Sequence, residues 1–538
     1  MRKLTLLFLS ILLTFSLFAQ KKSGTGKDNY YYQRGVSCIQ ADDYEQAATY
    51  FAQALEEEEH NGYAQMMLAV NVADEDATRA FSLLTQAVQD LPKKDKKMRS
   101  LAYVMRGKLL AMHGRYQEAI QNFLMAEKLD RKDLRPLYEI ADALYQLKEY
   151  DLSDNVYKEL NKRNPGDAIA AIGIAQNAIA REEYDKAILL LDQLITRIPE
   201  SSEVFALRGT AYMDKGELER GAQDIVTALE MDDNNTAFNY LQTQFGKKAE
   251  ALQMSIRKKM TQAPEKPEWH FYFAAAAESN GQLEKALEEY KQCMSLDTNI
   301  LLHDDIARCL KELGHYQEAV IHSTLHLQRY PQDDKARLIR ATCYDELYLT
   351  DSALLDCDTL IQHQPYNTAA YYNKAQFLFW NMRYEEAAEC YSAVLALDST
   401  DACSYLGYAL SLTHMGGHTT EARPAFLTAI KCETLYSYMQ IAGYQRVSQF
   451  AYLHLGNRSE AEKIQQQMLK MRMHDATELF TAARLYALLG DTAKSMEYLR
   501  QALEEGFKRF KLIRTLPEFG EVRQLPEFEP LLQDYQKQ

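Results

Sequence analysis

Small and apolar residues recur along this chain at a spacing that a repeated helix explains. An Ala, Gly or Ser is followed four residues later, in most cases, by an aromatic or aliphatic residue. Three residues further on comes another small or apolar side chain, as in Ala47/Phe51/Ala54, Ala119/Phe123/Ala126, Ala187/Leu191/Leu194 and Ala387/Tyr391/Val394. Each triplet has the i, i+4, i+7 spacing of one helix face. Thirteen triplets run from Ala47 to Ala502, the weakest being Ala461/Gln465/Met468 and Ser495/Leu499/Ala502, and from residue 119 to 221 the step is 34 three times running.

A second face lies about twelve residues upstream of each triplet, as in Tyr103, Gly107 and Leu110. Small residues there (Gly35, Gly107, Ala141, Ala175, Gly209, Ala341 and Ala375) let one helix approach the triplet of the next, which predicts an antiparallel pair. Gly stands five residues before the triplet at 114, 216, 281, 314, 417, 456 and 490. It suits the position after a helix C-terminus, where a left-handed conformation carries no Cβ clash. A Tyr three residues before the triplet covers the turn in several units, and Pro92, Pro165, Pro199, Pro331 and Pro365 close the second helix.

These positions resemble the consensus of the tetratricopeptide repeat family over about residues 28–510, nearly the whole chain after its leader. The resemblance implies an all-α fold, a superhelical solenoid of antiparallel helix pairs. One hairpin of short helices cannot bury its own apolar faces, so the units must stack in series. We expect a signal peptide at 1–19, a short linker at 20–27 and an N-terminal array at 28–233. A degenerate repeat or kink follows at 234–266, where helical pattern persists (Ala249, Leu252, Ile256) but the signature is lost. A C-terminal array at 267–510 and a capping segment at 511–538 complete the chain. In the last, Leu516-Pro-Glu-Phe519 recurs as Leu525-Pro-Glu-Phe528, and Leu525, Phe528, Leu531, Leu532 and Tyr535 form one apolar stripe.

The leader reading rests on Arg2 and Lys3, the apolar run from Leu4 to Phe18, and Ala19 as the last residue before cleavage. The run is short for a transmembrane helix of roughly 20 residues, although an uncleaved anchor is the rival reading. No Cys follows Ala19, so a lipid-anchored form is not supported. No later stretch is apolar enough to span a bilayer, and the expected location is periplasmic or envelope-associated. Removing Arg2 and Lys3 leaves 59 basic against 76 acidic residues, moving net charge from −15 to −17. Such a surface repels phosphate backbones, which argues against nucleic-acid partners. The one dense basic run, Lys93, Lys94, Lys96, Lys97 and Arg99, falls in a linker between repeats.

Catalytic motifs are absent: there is no GxSxG, HExxH or phosphate-binding glycine loop. The eight cysteines lack metal-ligand spacing and read as small buried apolar residues, although Cys343 and Cys357 could face each other across a hairpin. His322 and His326 are four apart beside His303 and His315, but His326 falls on a core-facing position, so no metal site and no cofactor is expected. We therefore expect a non-enzymatic scaffold. The resemblance implies a groove lined by the first helix of each repeat, with a protein or peptide as its occupant. Counting from the small residue places Tyr138, Asp142 and Tyr145 there in one repeat, Asp304, Arg308 and Lys311 in another, and Tyr372, Gln376 and Phe379 in a third. The Lys/Asn set with which family members clamp a C-terminal carboxylate does not occur at these positions. Two alternatives are a carbohydrate- or peptidoglycan-associated binding protein, motivated by Trp269, Tyr372 and Trp380 as aromatic platforms, and an enzyme with an unannounced site. Oligomeric state is not legible.

Overall fold

The computed structural model describes residues 26–41, 43–73, 76–231, 235–437, 447–471 and 475–536. The leader expected at 1–19 and most of the linker at 20–27 lie outside them. Among the described residues the secondary structure is helical throughout, with no strand. Two compact units result, one ending at Thr243 and including Glu250–Ser255, the other formed by Gln244–Ala249 and the chain from Ile256 onward. The division falls where the signature is lost, in a stretch that nonetheless forms two helices, Asn235–Thr243 and Gly246–Gln262.

Within each unit a first and a second helix alternate. Tyr30–Gln40 pairs with Tyr44–Glu57, Lys96–Met112 with Tyr116–Leu129, and Arg135–Gln146 with Tyr150–Arg163 in the first unit. In the second unit Pro267–Ser279 pairs with Leu283–Leu296, Thr368–Trp380 with Tyr384–Leu397, and Ala476–Leu488 with Thr492–Glu504. Pro92, Pro165, Pro199, Pro331 and Pro365 each stand two residues beyond the last helical residue, where a missing N–H costs nothing.

The triplets form the core. Ala47, Phe51 and Ala54, like Ala119, Phe123 and Ala126, are completely buried. Burying such a Phe contributes about 1.5–3 kcal/mol. The upstream small residues meet the middle member of the triplet: a Cβ on Gly35 would lie 2.6 Å from the Phe51 ring, and one on Gly107 would lie 2.5 Å from Phe123. At Tyr157 and Tyr391 a second small residue, in the next repeat, makes room for the ring. A Cβ on Gly173 would lie 2.2 Å from Tyr157, and one on Gly407 would lie 2.3 Å from Tyr391. Both Tyr rings thus pack against the first helix of the following repeat, which ties neighbouring repeats together.

Among the described residues the turn between paired helices is left-handed whether or not glycine occupies it. The seven turn glycines all have positive φ, from 72° at Gly114 to 95° at Gly216. Repeats lacking Gly put Lys148, Glu182, Tyr348 and Met382 at the same position, with φ of 60–62°. The first helix of many repeats is capped by Asp or Asn: Asp95, Asp167, Asn367 and Asp401 each accept a backbone N–H in the first turn.

A polar ladder runs across the second helices. Arg208, just before Gly209, binds Asp224 of its own repeat through Nε and Nη2 at 2.7 and 2.8 Å, and Asp192 of the preceding repeat at 2.7 Å. Arg340 spans Asp356 and Thr324 in the same way, and Arg106 spans Asn122 and Thr85. Each basic residue stitches two neighbouring repeats.

Candidate functional site

The first helices carry the residues expected to face a groove, and their geometry differs from repeat to repeat. In the first unit the Tyr138 hydroxyl donates a short hydrogen bond to Asp167, the cap of the next first helix. Burial and that carboxylate push its pKa up to about 12. Tyr157 donates to Asp142 at 2.9 Å, and Tyr145 packs against Tyr150 with ring centroids 5.5 Å apart. Asp142 remains exposed.

In the second unit Arg308 is the centre of an internal network. It binds Glu278 of the preceding repeat at 2.5 Å, Asp305 at 2.7 Å and Asp304 at 3.4 Å. Tyr290 donates to the same Glu278 at 2.8 Å. Lys311 pairs with Glu312 at 2.7 Å. With three carboxylates around it, Arg308 acts between repeats and has little capacity left for a ligand.

Tyr372, Gln376 and Phe379 are brought together. They line a cavity of 510 Å³ whose walls also include Trp380, Tyr391, Phe480 and Arg484, with Phe507 and Arg509 from beyond the last repeat. Gln376 donates to the Tyr372 hydroxyl at 2.8 Å. Phe379 is more deeply placed than its register implies, packed edge-on against Tyr384 and His414. Asp304, Arg308 and Lys311 are not among the lining residues. Counting from the small residue would also have found Arg484, which follows Ala483 as Gln376 follows Ala375. Phe507 and Arg509 carry no repeat register, so no periodic signal marks them.

Of the three aromatic platforms only Trp269 is fully buried, and each packs against a neighbour. Trp269 is buried with Tyr272 at its edge, the Tyr372 ring meets Tyr391 at 5.9 Å, and Arg509 lies over Trp380 at 4.4 Å. No group of three or more His, Cys, Asp or Glu suited to a metal ion occurs among the described residues. His303 Nδ1 faces His322 Nδ1 at 3.0 Å, whereas His326 is tied to Asp333 at 3.0 Å. All eight cysteines are free thiols, Cys343 and Cys357 included. No helix of the described residues is long and apolar enough to cross a membrane.

Family models described as tetratricopeptide repeat match residues 138–202, and also 28–61 and 479–505. Superkiller complex protein 3 of Homo sapiens is 21% identical over 385 residues, covering 68% of this chain and 22% of that protein. Hsp70-Hsp90 organizing protein 3 of Arabidopsis thaliana is 25% identical over 229 residues, covering 41% of this chain and 39% of that protein. The chain therefore spans well under two thirds of either relative. A solved tetratricopeptide repeat protein from Parabacteroides merdae aligns with a TM-score of 0.37 and 15% identity, over 52% of this chain and 96% of that one. Tetratricopeptide repeats are thus present in both units, and the fold is that of a tetratricopeptide helical solenoid.

Proposed function

We propose that this chain is an exported, non-enzymatic scaffold of the cell envelope that holds a protein or peptide partner on the faces formed by the first helices of its repeats. The cavity of the second unit carries the reading. Its aromatic walls (Tyr372, Trp380, Phe480) stand beside hydrogen-bonding and charged groups (Gln376, Arg484), a composition suited to an apolar side chain with polar flanks. The similarity to a protein named as an Hsp70-Hsp90 organizing protein supports a partner-holding role. The export element rests on the order of Arg2 and Lys3, the apolar run and Ala19.

Affinity capture with the full chain from an envelope extract tests the partner. One discrete protein is expected, lost from a Tyr372→Ala/Gln376→Ala variant that keeps its helical spectrum. Capture of nothing specific by the folded wild type would contradict the reading. Fractionation of cells tests location, with the chain expected outside the cytoplasm and shortened by the leader.

A further inference from the structure

The chain does not end its work at the last helix pair. After Gly506, residues 507–512 run back over earlier repeats of the second unit. The Lys508 carbonyl accepts from the Tyr316 hydroxyl at 3.0 Å, 192 residues away. Arg509 Nε donates to Glu346 at 2.6 Å across 163 residues, and Lys511 Nζ donates to Asp345 at 2.6 Å across 166.

Two receptors for cations lie side by side here, each a carboxylate with an aromatic face. Glu346 and the Trp380 ring, 4.4 Å from the guanidinium, hold Arg509. Asp345 and the Tyr348 ring, 5.3 Å from Nζ, hold Lys511. The Asp345 and Glu346 side chains are 2% and 1% exposed and end the helix Asp334–Glu346. A helix C-terminus carries partial negative charge, so adjacent buried carboxylates there require cations. Burial raises the Glu346 carboxyl even with Arg509 beside it. In a chain of net charge −15, the segment Phe507-Lys-Arg-Phe-Lys-Leu512 supplies those cations between apolar anchors.

We propose that this rim of the second unit is a recognition site for a short segment with basic residues set between apolar ones, with 507–512 as its resident, displaceable occupant. The inference rests on the protein-binding reading above and deepens it: a partner carrying such a segment would take the rim by displacing the chain's own. The resident fit is incomplete, which leaves room for a better one. Arg509 and Glu346 meet through one hydrogen bond, while Arg509 Nη2 and Glu346 Oε2 are buried with no partner. An arginine seated squarely on the carboxylate would make two parallel bonds.

A labelled synthetic peptide of residues 506–516 tests this with the full-length chain. An Arg509→Ala/Lys511→Ala variant is expected to bind the peptide in trans at least tenfold more tightly than wild type, and adding Asp345→Asn/Glu346→Gln should abolish the gain. Hydrogen exchange on wild type decides the matter even if the variant fails to fold. Amides of 510–516 should exchange faster than those of Ala476–Leu488. A folded variant binding no better than wild type would overturn the proposal, as would exchange of both segments at one common rate, which marks a fixed brace. Dimers formed by exchanged segments, read by light scattering, would also overturn it by making a second copy the occupant. Because the probe is the chain's own sequence, the result is independent of whether an envelope partner is captured.

Discussion

Lys511 Nζ lies 2.6 Å from Asp345 Oδ1, both side chains 2% exposed, joining positions 166 residues apart. Asp345 also accepts from Asn381 at 3.1 Å, so the carboxylate is held by groups from separate repeats. Removing one member of a buried pair leaves an uncompensated charge. Lys511→Ala should therefore destabilise the second unit by about 3–5 kcal/mol, and pairing Lys511→Met with Asp345→Asn should recover much of the loss. Both tryptophans of the chain, Trp269 and Trp380, belong to this unit. Urea unfolding followed by tryptophan fluorescence thus reads it alone. Equal midpoints for wild type and Lys511→Ala would remove the pair from the account.

The contact between Gly107 and Phe123 makes a separate prediction for the first unit. A Cβ 2.5 Å from a completely buried ring forces a shift of the helix or the ring. Gly107→Ala should cost about 1–3 kcal/mol, as small-to-large changes in dense cores do. Gly114→Ala, where nothing lies within 4 Å but φ is +72°, should cost about 1 kcal/mol through the backbone alone. Far-UV melting of the two variants separates packing from conformational strain.

Met382 occupies the turn position at φ 60° and is two-thirds exposed. Met382→Gly should stabilise the second unit by about 0.5–1 kcal/mol, because relief of the left-handed strain exceeds the entropy gained by the unfolded chain. Glu182→Gly should do the same in the first unit. A lower urea midpoint for Met382→Gly would contradict the strain argument.

Acid should weaken the second unit through its buried histidines. Burial lowers the pKa of His303, His322, His414 and His454 below 6.5. Between the lowered folded values and 6.5 the unfolded state binds more protons, so stability is complete above 6.5 and falls as pH drops below it. Glu518 titrates in a lower window. Burial raises its carboxyl, but the charge and hydrogen bond of Arg484, 2.6 Å away, outweigh this and hold it below 4.5. Its contribution is present above 4.5 and lost as pH falls through the lowered folded value. Tryptophan-monitored urea midpoints should fall between pH 7.5 and 5.5. A His454→Phe variant, which keeps the stack on Phe426, should show a shallower fall.

The repeats were legible because the small and large positions obey the helix period and sit in contact, Gly107 on Phe123 and Gly209 on Ile225. The left-handed turns at Lys148, Glu182, Tyr348 and Met382 were not, since these residue types do not record that conformation. Tyr372 and Gln376, expected on a groove from register, line the cavity wall. Register gave only a direction for Arg308, whose tie to Glu278 in the neighbouring repeat depends on rotamers and not on spacing. The return of 507–512 was illegible for a different reason. It joins Arg509 to Glu346 across 163 residues, with no periodic partner to announce it.

The partner-binding claim is tested most directly by a photo-crosslinking side chain placed in the full-length chain in its own cells. At Gln376, on the cavity wall, one discrete protein adduct is predicted. At Leu355, two-thirds exposed on the second helix Thr350–His363, no such adduct should form. Equal labelling at both positions, or no protein adduct at Gln376, would contradict the account.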